Sequence, residues 1–262
     1  MRYRETKLGQ KSLIVFYYLL PPITALLVVL VIWEICIRIW NTPIYIAPSP
    51  TAVFNRIFTD PIFFLSHGSV TLGEAMSGFI LGATTAFLAA LLMAHARFLE
   101  RLLLPIAILI KVTPIVAVAP MFVIWFGFGM LPKVLIVGLI TFFPVLINAI
   151  AGLKSVNSDT LDLFHSVNAS NKEIFLKLRI PNALPYLFAA FRISIPLSVI
   201  GAVVGEWFSG DKGLGSVIMI AHSNLDMPTL FAAIIILGLT GIILTFISSY
   251  FESKLLFWSD TG

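Results

Sequence analysis

The sequence has little of what a soluble enzyme needs. Its single cysteine, Cys36, excludes a disulfide within the chain. Charged residues make up 11% of the 262 residues, whereas soluble domains contain about 25%. The Gly-x-x-x-x-Gly-Lys-Ser/Thr signature of a phosphate-binding loop is absent, so we expect no nucleotide site in this chain. The cysteine and the four histidines (His67, His95, His165, His222) are dispersed without metal-ligand spacing. We therefore predict no metal, no cofactor and no catalytic residues.

What the sequence has instead is a high fraction of hydrophobic residues. Hydrophobic residues make up 59% of the chain, which indicates an integral membrane protein. The net charge of +4 raises the possibility of nucleic-acid binding, but the basic residues flank apolar runs and form no basic patch with interleaved aromatics. Four basic residues precede the first apolar run (Arg2, Arg4, Lys7, Lys11). That run is too long for a secretory signal and lacks a cleavage site, so we interpret it as an uncleaved first span.

The apolar runs predict an all-α protein with six membrane-spanning helices, because only helices or closed barrels satisfy the backbone in lipid and these runs are too long for barrel strands. After a cytoplasmic or interfacial segment over 1–20, we expect one transmembrane domain over 21–258. The predicted spans lie at about 21–40, 70–94, 102–126, 133–153, 183–204 and 229–250. Prolines punctuate the external loop 41–69 and the third span. Gly78 and Gly82 in the second span form a small-residue pattern that favours close helix packing.

Basic residues in the loops predict the orientation. With the N-terminus in the cytoplasm, eleven of the 17 lysines and arginines lie inside and four outside, the external set including Lys133. Cytoplasmic loops carry the excess of basic residues, so we expect both termini in the cytoplasm.

The longest polar interruption, residues 161–192, is then cytoplasmic. Ser170 and Glu173 have the spacing of a capping box, which predicts a helix start. We expect two short helices, about 159–167 and 171–179, the second ending before Pro181. Asn168 between them tolerates a left-handed conformation. From the residues alone, this helix pair either lies on the lipid surface or docks onto a cytoplasmic partner.

This stretch resembles the EAA loop of bacterial ABC importer permeases. The pattern of that loop is Glu-Ala-Ala, three residues, Gly, nine residues, then Ile-x-Leu-Pro. Asp162 falls on the Glu, Leu163 and Phe164 fall on the two Ala positions, and Asn168 falls on the Gly. Leu178 matches the Ile position and Ile180-Pro181 the Leu-Pro pair, and of these residues only Pro181 keeps the identity found in the pattern.

Further motifs over roughly residues 20–257 resemble the permeases that import nitrate, sulfonates, taurine, and pyrimidine or riboflavin-type vitamin precursors. They include Ala47-Pro48-Ser49-Pro50, Trp125-Phe126-Gly127, Phe142-Phe143-Pro144, Gly205-Glu206-Trp207 and Gly213-Leu214-Gly215. The resemblance implies the type I permease fold, a bacterial inner-membrane location, two copies of a separate ATPase, an extracytoplasmic solute-binding protein, and a homodimer of this chain. It also implies a coupling loop over 159–182 that contacts the ATPase through a set of residues in and after its first helix (Asp162, Leu163, Phe164, His165, Asn168, Ala169, Ser170).

Ionisable residues at membrane depth are costly and mark candidate sites. Lys111 lies in the third span beside Thr113 and Pro114, where a broken helix exposes carbonyl groups. It either lines the translocation path, together with Thr113, or pairs structurally with Glu74. Glu206 follows the fifth span, and it either acts at the outer mouth or is a structural feature of a helix end.

Two other sets of charged residues in or near the spans have ordinary explanations. Glu34 and Arg38 are spaced as a pair on one helix, and Arg192 can extend to the cytoplasmic face.

The sequence therefore predicts a non-catalytic permease subunit of an ATP-driven importer that works by alternating access. The alternative is a stand-alone secondary transporter or another polytopic membrane protein, but the two halves show no evident repeat and mid-span carboxylates are nearly absent. The substrate is expected to be a pyrimidine or riboflavin-type vitamin precursor, or else a sulfonate, taurine or nitrate, with a slight preference for the vitamin precursors.

Overall fold

The computed structural model describes residues 2–210 and 212–258, with side chains from residue 20 onward. Within these ranges the chain is helical and contains no strand. The helices are α1 (Arg2–Ile39), α2 (Pro50–Thr59), α3 (Pro61–His95), α4 (Arg97–Val112), α5 (Ile115–Phe126), α6 (Met130–Lys154), α7 (Ser158–Ser166), α8 (Asn171–Ile174), α9 (Ile180–Ser209), α10 (Leu214–Ser223) and α11 (Met227–Leu255). A π-helical turn, Phe175–Arg179, joins α8 to α9.

Five helical segments of the described residues are long and apolar enough to cross a membrane, namely Leu20–Ile39, Pro61–His95, Met130–Lys154, Asn171–Ser209 and Met227–Leu255. The third predicted span, 102–126, is divided into α4 and α5, which are bent by 100° at Thr113–Pro114. Pro114 cannot continue the hydrogen-bond ladder of α4, and Thr113 adopts an extended backbone. The second span begins earlier than expected, at Pro61.

The described residues divide into two units, each with its own contacts. The first comprises 1–61 and 221–232. In it, Glu34 binds Arg38 Nε at 2.7 Å, as the sequence predicted, and accepts the Thr51 N–H at 3.1 Å. Arg56 Nε donates to Thr229 Oγ1 at 2.8 Å. These bonds tie α2 to α1 and to the beginning of α11.

The second unit, residues 62–220 and 233–262, is built around α6 and α9. Three glycines allow the two helices to approach closely, because an added Cβ would lie 3.0 Å from Lys133 Cα at Gly205, 3.1 Å from Val137 Cα at Gly201 and 2.9 Å from Ala183 Cα at Gly152. The residue numbers of the contacts rise along α6 as they fall along α9, so the two helices are antiparallel.

Helix α3 packs parallel to α6 through the predicted small-residue face. A Cβ at Gly78 would lie 2.3 Å from Val137 Cβ, and one at Gly82 would lie 2.5 Å from the Gly138 carbonyl oxygen. The small-residue pattern is therefore a real packing face. Because α3 and α6 run in the same direction, the chain must return from the end of α3 to the level at which α6 begins. The bent pair α4 and α5 makes this return.

Candidate functional site

The polar stretch forms a helical hairpin, which we define as residues 157–179. Asn157 starts α7 by accepting the Asp159 N–H at 3.1 Å. Asn168 has a φ of 54°, the left-handed conformation that asparagine tolerates with little strain. The turn is closed by the Ala169 N–H, which donates to the Phe164 carbonyl at 3.0 Å. The chain thus leaves α7 through a short, internally bonded turn.

The predicted capping box begins α8. Ser170 Oγ accepts the Glu173 N–H at 3.3 Å, and the Glu173 carboxylate accepts the Ser170 N–H at 3.0 Å. Lys177 Nζ lies 2.9 Å from the other carboxylate oxygen. The hydrogen bonds from Lys177 and then from Ser170 lower the pKa of the exposed Glu173 to about 2. This carboxylate therefore remains charged, and the helix start remains capped, at any physiological pH.

The expected helix end before Pro181 is wrong, because the helical chain runs without a break from Asn171 to Ser209. The wider turn Phe175–Arg179 is the reason: the Ile180 N–H bonds to the Phe175 carbonyl, five residues earlier. Proline is tolerated at the start of the next α-helical segment, where Pro181 lies. The second helix of the hairpin is consequently a direct extension of the spanning helix α9.

The hairpin is anchored on one side and open on the other. Ile174 is buried, and the Phe175 ring lies 5.4 Å from the ring of His95 at the end of α3. His165 lines a cavity of about 360 Å³ on this anchored side. Of the remaining residues expected in the coupling set, Phe164 and Ala169 are half-buried, whereas Asp162, Leu163, Asn168 and Ser170 are exposed. Leu163 and Val167 are 62% and 69% exposed, so α7 presents apolar side chains beside a carboxylate.

Lys111 and Thr113 lie at the bend between α4 and α5. They line a cavity of about 330 Å³ together with apolar side chains of α6 and α9. Lys111 Nζ lies 4.7 Å from the centre of the Phe143 ring, a cation–π contact. The Thr113 hydroxyl donates to the Leu109 carbonyl at 2.9 Å. Lys111 is therefore an exposed cation in a cavity wall that, apart from Thr113, is apolar.

The alternative pairing of Lys111 with Glu74 is wrong, because Glu74 pairs with Lys133. Lys133 Nζ lies 2.7 Å from Glu74 Oε1, and both residues are 3% exposed. From the sequence, Lys133 is counted with the external charges although it stands at the first position of the fourth predicted span, and it has no expected partner. The signal that could have located it is its position at the start of an apolar helix, opposite Gly205, whose missing side chain leaves room for the lysine stem.

Glu206, the third residue expected on the path, is buried and binds the first turn of α10. Three successive N–H groups there have side-chain acceptors: Gly213 donates to His67 Nδ1 at 3.1 Å, Leu214 to Thr71 Oγ1 at 2.8 Å, and Gly215 to Glu206 Oε2. Thr71 Oγ1 in turn donates to Glu206 Oε1 at 2.6 Å. We call the side chains of His67, Thr71 and Glu206, together with Gly213–Gly215, the α10 clasp.

Glycine is required at two positions of the clasp. Gly213 has a φ of 107°, and a Cβ there would lie 2.1 Å from Glu206 Oε1. A Cβ at Gly215 would lie 2.7 Å from Glu206 Oε2. The Gly-Glu-Trp and Gly-Leu-Gly motifs are therefore two halves of one structural feature.

The family model described as "Binding-protein-dependent transport system inner membrane component" matches residues 78–256. The chain belongs to this family. It is a multi-pass component of a binding-protein-dependent transport system. The hairpin and the clasp residues Glu206 and Gly213–Gly215 lie within the matched residues, whereas His67 and Thr71 precede them.

Two relatives resemble this family member over most of both chains. It is 37% identical to the formylaminopyrimidine transport permease protein ThiX of Halalkalibacterium halodurans, over 87% of this chain and 91% of the relative. It is 34% identical to the riboflavin transport system permease protein RibX of Chloroflexus aurantiacus, over 90% and 89%.

The fold of this family member also matches a solved structure. The comparison with the inward-facing MetNI methionine ABC transporter gives a TM-score of 0.63 at 15% identity, covering 71% of this chain and 93% of the other. The all-α type I importer permease fold expected from the sequence is thus confirmed.

Proposed function

We propose that this chain forms the membrane pathway of an ATP-driven importer, as a homodimer with two copies of a separate ATPase and an extracytoplasmic solute-binding protein. The observation that carries the proposal is the hairpin: a capped, rigid helix pair exposes Leu163 and Val167 beside Asp162 and continues without a break into α9. Exposed apolar side chains on a polar segment are typical of a protein interface.

The hairpin provides a direct mechanical connection. Movement of a docked ATPase would be carried through the π-helical turn into α9, and then to α6, with which α9 is closely packed. Closely packed helices move as rigid bodies, which is the motion that alternating access requires.

Substituting Leu163 tests the docking. We expect Leu163→Asp to reduce co-purification of the ATPase by about tenfold or more, since loss of an apolar interface anchor costs at least about 1.4 kcal/mol. Leu163→Met, which keeps the apolar contact, should retain the ATPase. Equal retention by both variants at unchanged membrane insertion would contradict the proposal.

The substrate proposed for this importer is a pyrimidine or riboflavin-type vitamin precursor. It is supported by the names of the relatives at 37% and 34% identity. Calorimetry of the cognate binding protein against formylaminopyrimidine, riboflavin, an alkanesulfonate, taurine and nitrate tests this choice, and a preference for any of the last three would overturn it.

We further propose that Lys111 and Thr113 line the path. Lys111→Gln should reduce uptake while leaving assembly with the ATPase and its hydrolysis intact, and Lys111→Arg should retain more uptake than the glutamine variant. Normal transport by Lys111→Gln would contradict a role in the path, and the role of Lys111 would then be limited to its packing contact with Phe143.

The hairpin is proposed to be cytoplasmic, as the distribution of basic residues predicts. In a background with Cys36 replaced by serine, a cysteine at the exposed Asp159 should react with a membrane-impermeant thiol reagent only after the membrane is opened. A cysteine at the exposed Lys212 should react in intact cells. The reverse pattern would overturn the orientation.

The stand-alone secondary transporter remains the contrasting function. Uptake by the purified chain driven by an ion gradient, without any ATPase, would establish it instead.

A further inference from the structure

Three buried ionisable side chains meet in the second unit, at the end of α9 away from the hairpin. Glu74 of α3, Lys133 of α6 and Glu206 of α9 are 3%, 3% and 1% exposed. Lys133 Nζ binds Glu74 Oε1 at 2.7 Å. Glu206 Oε1 accepts at 2.6 Å from Thr71, which lies one helical turn before Glu74 on the same face of α3. With every group ionised, this cluster would contain two carboxylates and one ammonium group.

No neighbouring ionisable side chain in the described residues offsets the second carboxylate, and the N–H groups at the start of α10 that bind the clasp carry only partial positive charge. His67 accepts the Gly213 N–H through Nδ1, so that nitrogen carries no proton. Helix α5, which packs against α6 and α9, has no ionisable residue. Lys212, beside the loop, is exposed. A buried unpaired charge is strongly unfavourable, so the cluster needs one additional positive charge.

The hydrogen bonds show which carboxyl group can take that charge as a proton. Glu206 accepts with both oxygens, from the Thr71 hydroxyl at 2.6 Å and from the Gly215 N–H. Glu74 Oε1 accepts from Lys133, but Glu74 Oε2 is buried and has no hydrogen-bond partner. Two ionised carboxylates cannot bond to each other because both only accept.

We propose that Glu74 binds one proton on Oε2 and donates it to Glu206, so that the α10 clasp is held by a buried protonation site. Glu74 then accepts from Lys133 with one oxygen and donates with the other. The cluster becomes neutral, and its one unpartnered carboxyl oxygen gains a bond. Loss of the proton would place two charged carboxylates together and weaken the hold of Glu206 on the first turn of α10.

Infrared spectroscopy of the assembled transporter in lipid nanodiscs tests the protonation directly. At neutral pH we expect a carboxylic-acid C=O band that shifts on exchange into D₂O and on labelling with [¹³C]glutamate. Glu74→Gln should abolish the band, whereas Glu100→Gln, at a half-buried carboxylate paired with Lys154, should leave it. The absence of the band from the native protein, or its persistence in Glu74→Gln, would overturn the proposal.

Uptake measurements distinguish a protonated Glu74 from an ionised Glu74 that only pairs with Lys133. A glutamine at position 74 reproduces the protonated acid, since it accepts from Lys133 and donates to Glu206, whereas an alanine does neither. We expect Glu74→Gln to remain within about twofold of native uptake and Glu74→Ala to lose about tenfold or more, because alanine leaves buried charges without partners. Equal losses in both variants would show that Glu74 must be ionised.

The pH dependence provides an independent readout. Native uptake should fall as the external pH is raised far enough to remove the proton, and Glu74→Gln should show no such fall with the same binding protein and ATPase. Identical alkaline profiles for the two proteins would contradict the proposal.

Discussion

The hairpin and the α10 clasp are both polar regions in an apolar chain, at opposite ends of α9. They are separated by roughly 40 Å along that helix, at 1.5 Å per residue. The polar groups of the hairpin are mostly exposed, and its bonds are between neighbours in sequence, such as Ser170 with Glu173. The clasp is polar inside the protein, and its bonds join residues far apart, such as Thr71 with Glu206. A polar group in water has alternative partners, whereas a buried one has only those that the fold provides.

The largest expected contrast is between the two lysine–glutamate pairs. Lys133→Ala removes the partner of a buried glutamate and should destabilise the protein by about 3–5 kcal/mol. Lys154→Ala breaks the exposed pair with Glu100 and should cost about 0–1 kcal/mol. Thermal unfolding in detergent measures both. Similar shifts for the two variants would remove the distinction between buried and exposed polarity.

Backbone conformation provides the next contrast, at one positive-φ position in each region. Gly213→Ala should destabilise the protein by about 3 kcal/mol, since it combines a strained backbone with overlap on Glu206. Asn168→Gly in the hairpin should change stability by less than about 0.5 kcal/mol, because glycine adopts the same conformation easily. Denaturant unfolding in detergent compares them, and a harmless Gly213→Ala would show that the clasp rearranges freely.

A smaller effect is expected from the hairpin's own cap. Ser170→Ala removes the side-chain acceptor for the Glu173 N–H and should cost about 1 kcal/mol locally. Hydrogen exchange should accelerate in α8 and remain unchanged in the α10 clasp. Ser170→Asp, which caps equally well, is the control. Faster exchange at both ends of α9 would show that the two regions are coupled.

The smallest effect is that of pH on the hairpin. The pKa of Glu173 is lowered to about 2, so its stabilising bonds are complete above the ordinary glutamate pKa and are lost only as pH falls toward the lowered value. Hydrogen exchange of α8, corrected for its intrinsic pH dependence, should show constant protection from pH 7 to about pH 5. Loss of protection within that interval would contradict the bonding described for the capping box.

Much of the hairpin could be predicted because its structure is local. The Ser170–Glu173 box and the left-handed Asn168 follow from residues a few positions apart, and both are confirmed. The continuous helix through Pro181 was missed because a proline normally marks a helix boundary, and nothing in the sequence indicates the π-helical turn that accommodates it.

The clasp could be predicted only in part. Gly205-Glu206-Trp207 and Gly213-Leu214-Gly215 are recognisable as motifs, but their fit to each other depends on the spacing of α3, α9 and α10. Lys133 is counted with the external charges because a lysine at the first position of a predicted span looks the same in sequence whether it faces water or pairs inside the protein. The break at Thr113–Pro114 was indicated by proline, although its angle of 100° was not.

The sequence by itself determined that the chain is an all-helical membrane protein of the binding-protein-dependent permease family, because apolar run length and motif spacing are properties of the linear chain. It also determined the capped hairpin, whose bonds are local. Only the tertiary structure decided that Glu74 pairs with Lys133, that Lys111 faces Phe143, and that Glu206 holds the start of α10. Those partners are brought together by helix packing, and a buried charge takes whichever partner the packing places within reach.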